Sequence, residues 1–243
     1  MWRNVMMGSM LLALAACGRP ANNAAANVAT AASNAPPVIA APPAPSAKLA
    51  QIFTVDVLGS NVAHLETITG PAFRTDAADL TYKVDGCEVV VGATAGKIDN
   101  IGIDNYGPAC NFPIAQYFAG GYDHPVPALP TFGDIQRGLG GDYEATCLKL
   151  CGNAADPLVS LTYEGSHADN FNGLYAAVPV VEDKVLDAYM AWGAKLGAKY
   201  SDEQLEGDTA ALPDSMQAVA DQLFAPVRPT TIRVGSKLPA NAG

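Results

Sequence analysis

Leu80-Thr81-Tyr82-Lys83-Val84-Asp85-Gly86-Cys87-Glu88-Val89-Val90-Val91 is the stretch that decides the fold. Two runs rich in β-branched and aromatic residues flank Asp85-Gly86, a dipeptide that takes positive φ readily and closes a two-residue hairpin. Thr94-Ala95-Gly96 supplies a second turn, so Leu80 to Val84, Cys87 to Gly92 and Lys97 to Ile103 read as an antiparallel meander. Just upstream, Leu65-Glu66-Thr67-Ile68-Thr69-Gly70-Pro71-Ala72-Phe73 reads as a short helix ending at a glycine. Such a glycine suits a left-handed C-terminal cap.

Seventy residues further on, Ile135-Gln136-Arg137-Gly138-Leu139-Gly140-Gly141-Asp142-Tyr143 has the same order of helix, glycine and aromatic. Three further strand-like runs follow it: Ala145 to Cys151, Leu158 to Tyr163 and Gly173 to Val181. Val159, Leu161 and Tyr163 alternate as a half-buried antiparallel strand does. The expectation is an α+β protein of two repeated helix-plus-antiparallel-sheet units, residues 48–130 and 131–207. The second unit closes with a C-terminal helix, in which Val185, Leu186, Tyr189, Trp192 and Leu196 fall at helical spacing. Residues 208–243 read as a short helix from Met216 to Phe224 and a flexible tail that frays from Pro226.

Working toward the N-terminus, residues 18–47 hold twelve Ala and six Pro with one charge, Arg19, and cannot offset the entropy of ordering them. Met1 to Ala16 has one basic residue, a short apolar region and small residues before a junction, the three parts of a secretory signal. Leu14-Ala15-Ala16-Cys17 resembles the lipobox of bacterial lipoprotein precursors. That resemblance implies removal of residues 1–16, acylation of Cys17 with chains such as palmitate, and residues 17–47 acting as a lipidated tether. Gly18 in place of an Asp after the cysteine implies the outer membrane, with the folded part on the periplasmic face.

The lipobox, the helix-to-glycine segment ending at Gly70-Pro71, Tyr82 to Val91 and Lys97-Ile98-Asp99-Asn100-Ile101 together resemble the small lipoproteins of the SmpA/OmlA (BamE-like) type. It is also similar to the related tandem-repeat fold of the β-lactamase inhibitory protein. The resemblance covers about fifty residues, and that group has no catalytic motif, so it implies a fold and transfers no functional residue.

The formal net charge of −10 and the 16% charged residues exclude a basic stripe of the kind nucleic-acid binding requires. Apart from Cys17, four cysteines remain, an even number that points to disulfides in an exported protein. Three pairings are open. Cys87 with Cys110 and Cys147 with Cys151, one bridge in each unit, is favoured, and the second needs a turn near Leu148 to Leu150. A zinc site using His124 or His167 competes, but the cysteines lack paired ligand spacing.

No nucleophile elbow, phosphate loop or calcium loop is present, and Ser166-His167 with Asp169 are chain neighbours rather than a converging triad. No cofactor is expected. The aromatic, proline-rich connector holds Tyr106, Phe112, Tyr117, Phe118 and Tyr122, which are candidate interaction residues, or else rings that bridge the two units. The expected function is therefore non-covalent interaction with a protein partner in the cell envelope, with a small-ligand module or an enzyme of unrecognised family as alternatives.

Overall fold

Asp85 and Gly86 have φ of 51° and 87°, so the turn that the sequence marks is formed by two residues in the left-handed region. In the computed structural model this turn joins the second and third of eight strands. The structure describes residues 44–77, 79–118, 124–148, 157–167, 170–201, 205 and 214–239. Cys17, Tyr122 and Cys151, with residues 1–16 and most of 17–47, lie outside the described residues.

The first meander is β1 (Arg74–Asp76), β2 (Asp79–Val84), β3 (Cys87–Thr94) and β4 (Lys97–Ile103). The second is β5 (Asp142–Ala145), β6 (Leu158–Tyr163) and β7 (Gly173–Pro179). The last strand, β8 (Thr231–Gly235), lies between them, and all eight form one antiparallel sheet in the order β1-β2-β3-β4-β8-β7-β6-β5. Among the described residues the α-helices are α1 (Ala47–Ile52), α2 (Val62–Thr69), α3 (Phe132–Gly138), α4 (Asp183–Gly197) and α5 (Asp214–Phe224).

Two expectations are corrected here. The described residues from Pro226 are not frayed: Ile232 and Val234 are fully buried in the middle of the sheet. The alternation of Thr231, Ile232, Arg233 and Val234 builds a strand that packs on both neighbours. The two stretches read as separate units therefore share one sheet, held together by a strand assigned to neither. Smaller differences concern boundaries. The second helix-to-sheet passage enters β5 at Asp142, before the run expected from Ala145, and α1 starts the folded part at Ala47.

Residues that face each other across the ladders share a side of the sheet. Tyr82, Val89 and Ile103 on the first meander, Ile232 and Val234 on β8, and Ala176 and Leu161 on the second all project to one side. All are buried in one core cluster with residues of α1 to α5. Phe224 of α5 packs on Tyr143 of β5, Phe132 of α3 and Trp192 of α4, with ring centroids 5.8–6.4 Å apart.

Thr131 and Asp134 form a reciprocal capping box at the start of α3. On α4, Val185, Ala188, Tyr189, Trp192 and Leu196 are buried, whereas Leu186 faces outward with Met190, so the apolar stripe omits one residue expected in it.

The open edge at β5 is blocked by a side chain. Gln217 of α5 accepts from the Tyr143 amide at 2.7 Å and donates to the Tyr143 carbonyl at 3.1 Å, replacing a ninth strand. The opposite edge, β1, is three residues long and exposed, with Arg74 paired to Asp76, which discourages edge-to-edge association.

Cys87 and Cys110 are joined in a disulfide, as favoured. Cys147 is also disulfide-bonded, and its expected partner Cys151 lies outside the described residues.

Two measurements check this arrangement. Ile232→Ala lowers stability by about 2–5 kcal/mol, the range for truncating a fully buried isoleucine, in denaturant titration; a frayed end would tolerate it. Reducing the Cys87–Cys110 bridge costs about 3 kcal/mol by the chain-entropy relation for a loop of its length, read from the shift in denaturation midpoint.

Candidate functional site

The other side of the sheet carries the chemistry. Thr81, Lys83, Glu88, Val90, Gly92, Asn100, Gly102, Arg233, Tyr175, Ser160, Thr162 and Glu144 project there by register. The described helices contribute their buried residues to the opposite, apolar side, and Val90, Tyr175 and Ala177 stand outside that core cluster although each is buried.

Arg233 is at the middle of this face. Its side chain is only 11% exposed, and Nη1 donates to Asp79 Oδ2 at 2.6 Å while Nη2 lies 3.6 Å from Asp104 Oδ1. Asp79 is on β2, with β3 and β4 between it and Arg233. On a flat sheet three strand spacings amount to about 14 Å, and Asp79 is also offset two residues along the ladder. An arginine and an aspartate do not meet across that distance, so the sheet is curled toward its polar side. Gly102 allows this path. A Cβ there would sit 2.5 Å from Arg233 Cγ and 2.2 Å from the Ile232 carbonyl oxygen, so only glycine lets the arginine lie over β4.

The neighbours of Arg233 feel the resulting low dielectric. Burial pushes the Asp104 carboxyl above the ordinary aspartate range; Arg233 opposes the shift, and Asp79 and Glu88 add to it. Tyr175, directly opposite Arg233 on β7, is pushed up to about 12, chiefly by burial, with Arg233 and Ser160 opposing and Glu144 adding. Asn100 is 5% exposed; its Nδ2 donates to the Lys237 carbonyl at 2.6 Å, tying the segment after β8 down across the end of this face.

Two openings flank the sheet. One, of about 590 Å³, lies on the helix side between the start of α4, the end of α5 and the segment before β8; its walls include Leu129, Val178, Val185, Leu223, Lys184 and Arg228. The second, of about 500 Å³, opens at the β5–β6 end of the polar face and includes Glu144, Thr162, Glu164 and Phe171.

The described aromatic residues of the connector are turned inward. Tyr106, Phe112, Tyr117 and Phe118 are all buried. Phe112 stacks on Phe53 at 4.1 Å and meets Tyr106 and Tyr117 edge-on, and Phe118 reaches Tyr163 of β6 at 5.9 Å. Tyr117 and Gln116 donate to the carbonyls of Thr54 and Phe53, so the connector fastens α1 and the second meander to the first. Concentrated aromatic area serves internal packing here: these four residues are the buried bridging rings of the alternative expectation, not exposed recognition residues. Tyr122 lies outside the described residues.

His64 is exposed on α2, and His167 is exposed and edge-on to Phe171 at 5.1 Å. With Cys87, Cys110 and Cys147 in disulfides, the zinc alternative loses those thiolates. Arg233, Asp79 and Tyr175 were absent from the residues singled out by sequence. The signal that identifies Arg233 is the strict alternation of Thr231 to Val234, which a tail assignment overrides. No family model, curated protein or solved structure matches the chain.

The raised carboxyl gives a signed prediction. A folded-state value above the unfolded 3.8 means that Asp104 contributes most when protonated and that this contribution is lost as pH rises through its folded value. Asp104→Asn removes the titration. Its stability relative to the native chain therefore increases between about pH 4 and pH 7, measured by denaturant unfolding at both pH values; a pH-independent difference contradicts the assignment.

Proposed function

We propose that this chain is a lipid-anchored envelope protein that works by non-covalent binding, with the polar side of its sheet as the contact surface. The observation that carries this reading is the rim of the curled polar face: the Arg74–Asp76 and Lys83–Glu88 pairs reach solvent at its first-meander end, while Thr81, Asn100, Ser160 and Tyr175 are buried behind them and hold the rim on a rigid support. Rigid scaffolds of this kind keep a recognition surface organised before the partner arrives, which lowers the entropic cost of binding.

The anchor part of the proposal rests on the sequence at Leu14 to Cys17, outside the described residues. Two or three acyl chains on Cys17 hold a protein at a membrane durably, since each buried methylene contributes about 0.8 kcal/mol. The Ala/Pro-rich segment would then act as a spacer that raises the effective concentration of the domain near partners in the outer membrane or periplasm. Among the described residues no helix is long and apolar enough to cross a membrane.

In the same proposal the two meanders are related units of a BamE-like or inhibitory-protein-like design. The passage from α2 into β1–β4 and from α3 into β5–β7 supports this, while the central β8 departs from simple tandem repetition. A second reading, a small-ligand module, is favoured by the opening of about 590 Å³, a size typical of ligand pockets.

Two experiments test the proposal. Cys17→Ser moves the protein from the membrane fraction to the soluble fraction of cells, and mass spectrometry of the native form finds an acylated N-terminal cysteine; an unmodified thiol there overturns the anchor. A photo-cross-linking residue at Lys83, exposed on the polar face, captures an envelope protein in intact cells, whereas one at Met190, on the outer side of α4, does not. Equal capture from both positions contradicts the assignment of the face.

A further inference from the structure

The larger opening, on the helix side, reaches down to the core itself. Val178 of β7, Val185 of α4 and Val227 line it and belong to the core cluster, and Leu129 and Leu223 pack against that cluster from its walls. At about 590 Å³ it has the size of a pocket that encloses a small organic molecule. Water over such a floor finds few hydrogen-bond partners, and an apolar group that displaces it extends the core.

The floor offers little to a ligand with a polar body. Pro108, Pro130, Pro226 and Pro229 are in the lining and have no amide hydrogen to give. The amides of Tyr106, Gly107, Val227 and Thr230 already donate to the carbonyls of Thr230, Cys110, Phe224 and Ala177, respectively. The Tyr106 hydroxyl donates to the Ala128 carbonyl. A peptide or sugar laid along this floor would leave buried acceptors without donors, a cost that a hydrocarbon chain does not incur.

The rim has the opposite character. Glu182, Lys184 and Asp187 at the start of α4, and Arg228 after α5, are exposed there, two charges of each sign. Among the described residues none of these four takes part in an ion pair, and Glu182 stands at the N-cap of α4 without capping it. The rim is therefore neutral in sum while each of its charges is left unneutralised, in a chain whose net charge is −10. A head group of one sign would answer half of this rim and be repelled by the other half; a head group with both signs answers all of it.

We propose that this cleft holds a single-chain lipid whose head carries both an ammonium and an anionic group. The hydrocarbon chain lies over Val178, Val185, Leu223 and Val227. The anionic group meets Arg228 and Lys184, and the ammonium meets Glu182 and Asp187. This rests on the ligand-module reading and names the class of its ligand. The cleft is on the opposite side of the sheet from the polar rim and requires nothing of that contact surface.

The test is calorimetric titration of the full chain carrying Cys17→Ser, which dispenses with detergent. The probes are lauroyl lysophosphatidylethanolamine and the uncharged dodecyl maltoside, each below its micelle-forming concentration. One lysolipid binds per chain, about tenfold more tightly than the maltoside. Arg228→Gln and Asp187→Asn each weaken lysolipid binding by about three- to tenfold, as expected for the loss of one charge-assisted contact, and leave the maltoside unaffected. Gly107 lines the cleft outside the left-handed region, and a Cβ there meets nothing within 4 Å. Gly107→Trp therefore fills the space and abolishes binding of both probes, with an unchanged melting temperature verifying the fold. Lysolipid binding no tighter than that of the maltoside, or indifferent to Arg228 and Asp187, overturns the lipid assignment and leaves the cleft an apolar ligand module. Binding of neither probe, or binding that survives Gly107→Trp in the folded variant, overturns the ligand-module reading as well. Neither result bears on the polar rim, which cross-linking from Lys83 reads independently.

Discussion

One strand holds the architecture together. β8 pairs with β4 through Asn100–Gly235 to Ile103–Ile232, and with β7 through Gly173–Gly235 to Ala177–Thr231. Without it each meander would end in an edge of unpaired amides and carbonyls facing the other across a gap. The residue just before β8 secures the same junction, with the Thr230 amide donating to Ala177 and its carbonyl accepting from the Tyr106 amide. Because β8 follows both meanders in sequence, the long-range sheet closes only after the chain has been made through Gly235. Such non-local pairing is a slow route to a fold. The connector aromatics and the Cys87–Cys110 bridge hold the first meander and its surroundings in shape for that step.

The proposed contact surface follows from the same strand. β8 brings Ile232 and Val234 to the core and Arg233 to the polar side, so one alternation serves both packing and chemistry. The ion pairs on that side differ in weight. Arg74–Asp76 is half or more exposed on both partners and contributes at most about 1 kcal/mol. Arg233 is nearly buried beside two partly exposed aspartates, so losing one of them leaves its charge poorly solvated and costs more than losing a surface pair. The curl of the sheet therefore depends on Arg233 more than on the more numerous surface pairs. The raised Asp104 carboxyl reflects chiefly its own burial on that side, which the attraction of Arg233 only partly offsets.

The first meander was legible from the chain because its turns have dipeptides that only a few conformations suit, and Lys97–Ile103 and Leu158–Tyr163 are strands at the residues expected. The helices with strong apolar periodicity were legible for the same reason. What local pattern does not carry is pairing between distant segments. Thr231 to Gly235 is five residues long and follows a proline-containing stretch, so composition suggested an end rather than a centre. The connector failed differently. Aromatic and proline content identifies concentrated contact area but not whether the contact is internal, and Phe53, its stacking partner, lies some sixty residues upstream. Arg233 and Asp79 are 154 residues apart in sequence, and their meeting depends on the curl of the whole sheet.

Amide hydrogen exchange along β8 tests this account most directly. If the strand sits between β4 and β7, the amides of Ile232 and Val234 exchange only through global unfolding and rank with those of Val89 and Leu161 as the slowest in the protein. Exchange at those two positions as fast as in an unstructured peptide, with the meanders still protected, would mean that the halves fold without the strand and that no continuous polar face exists.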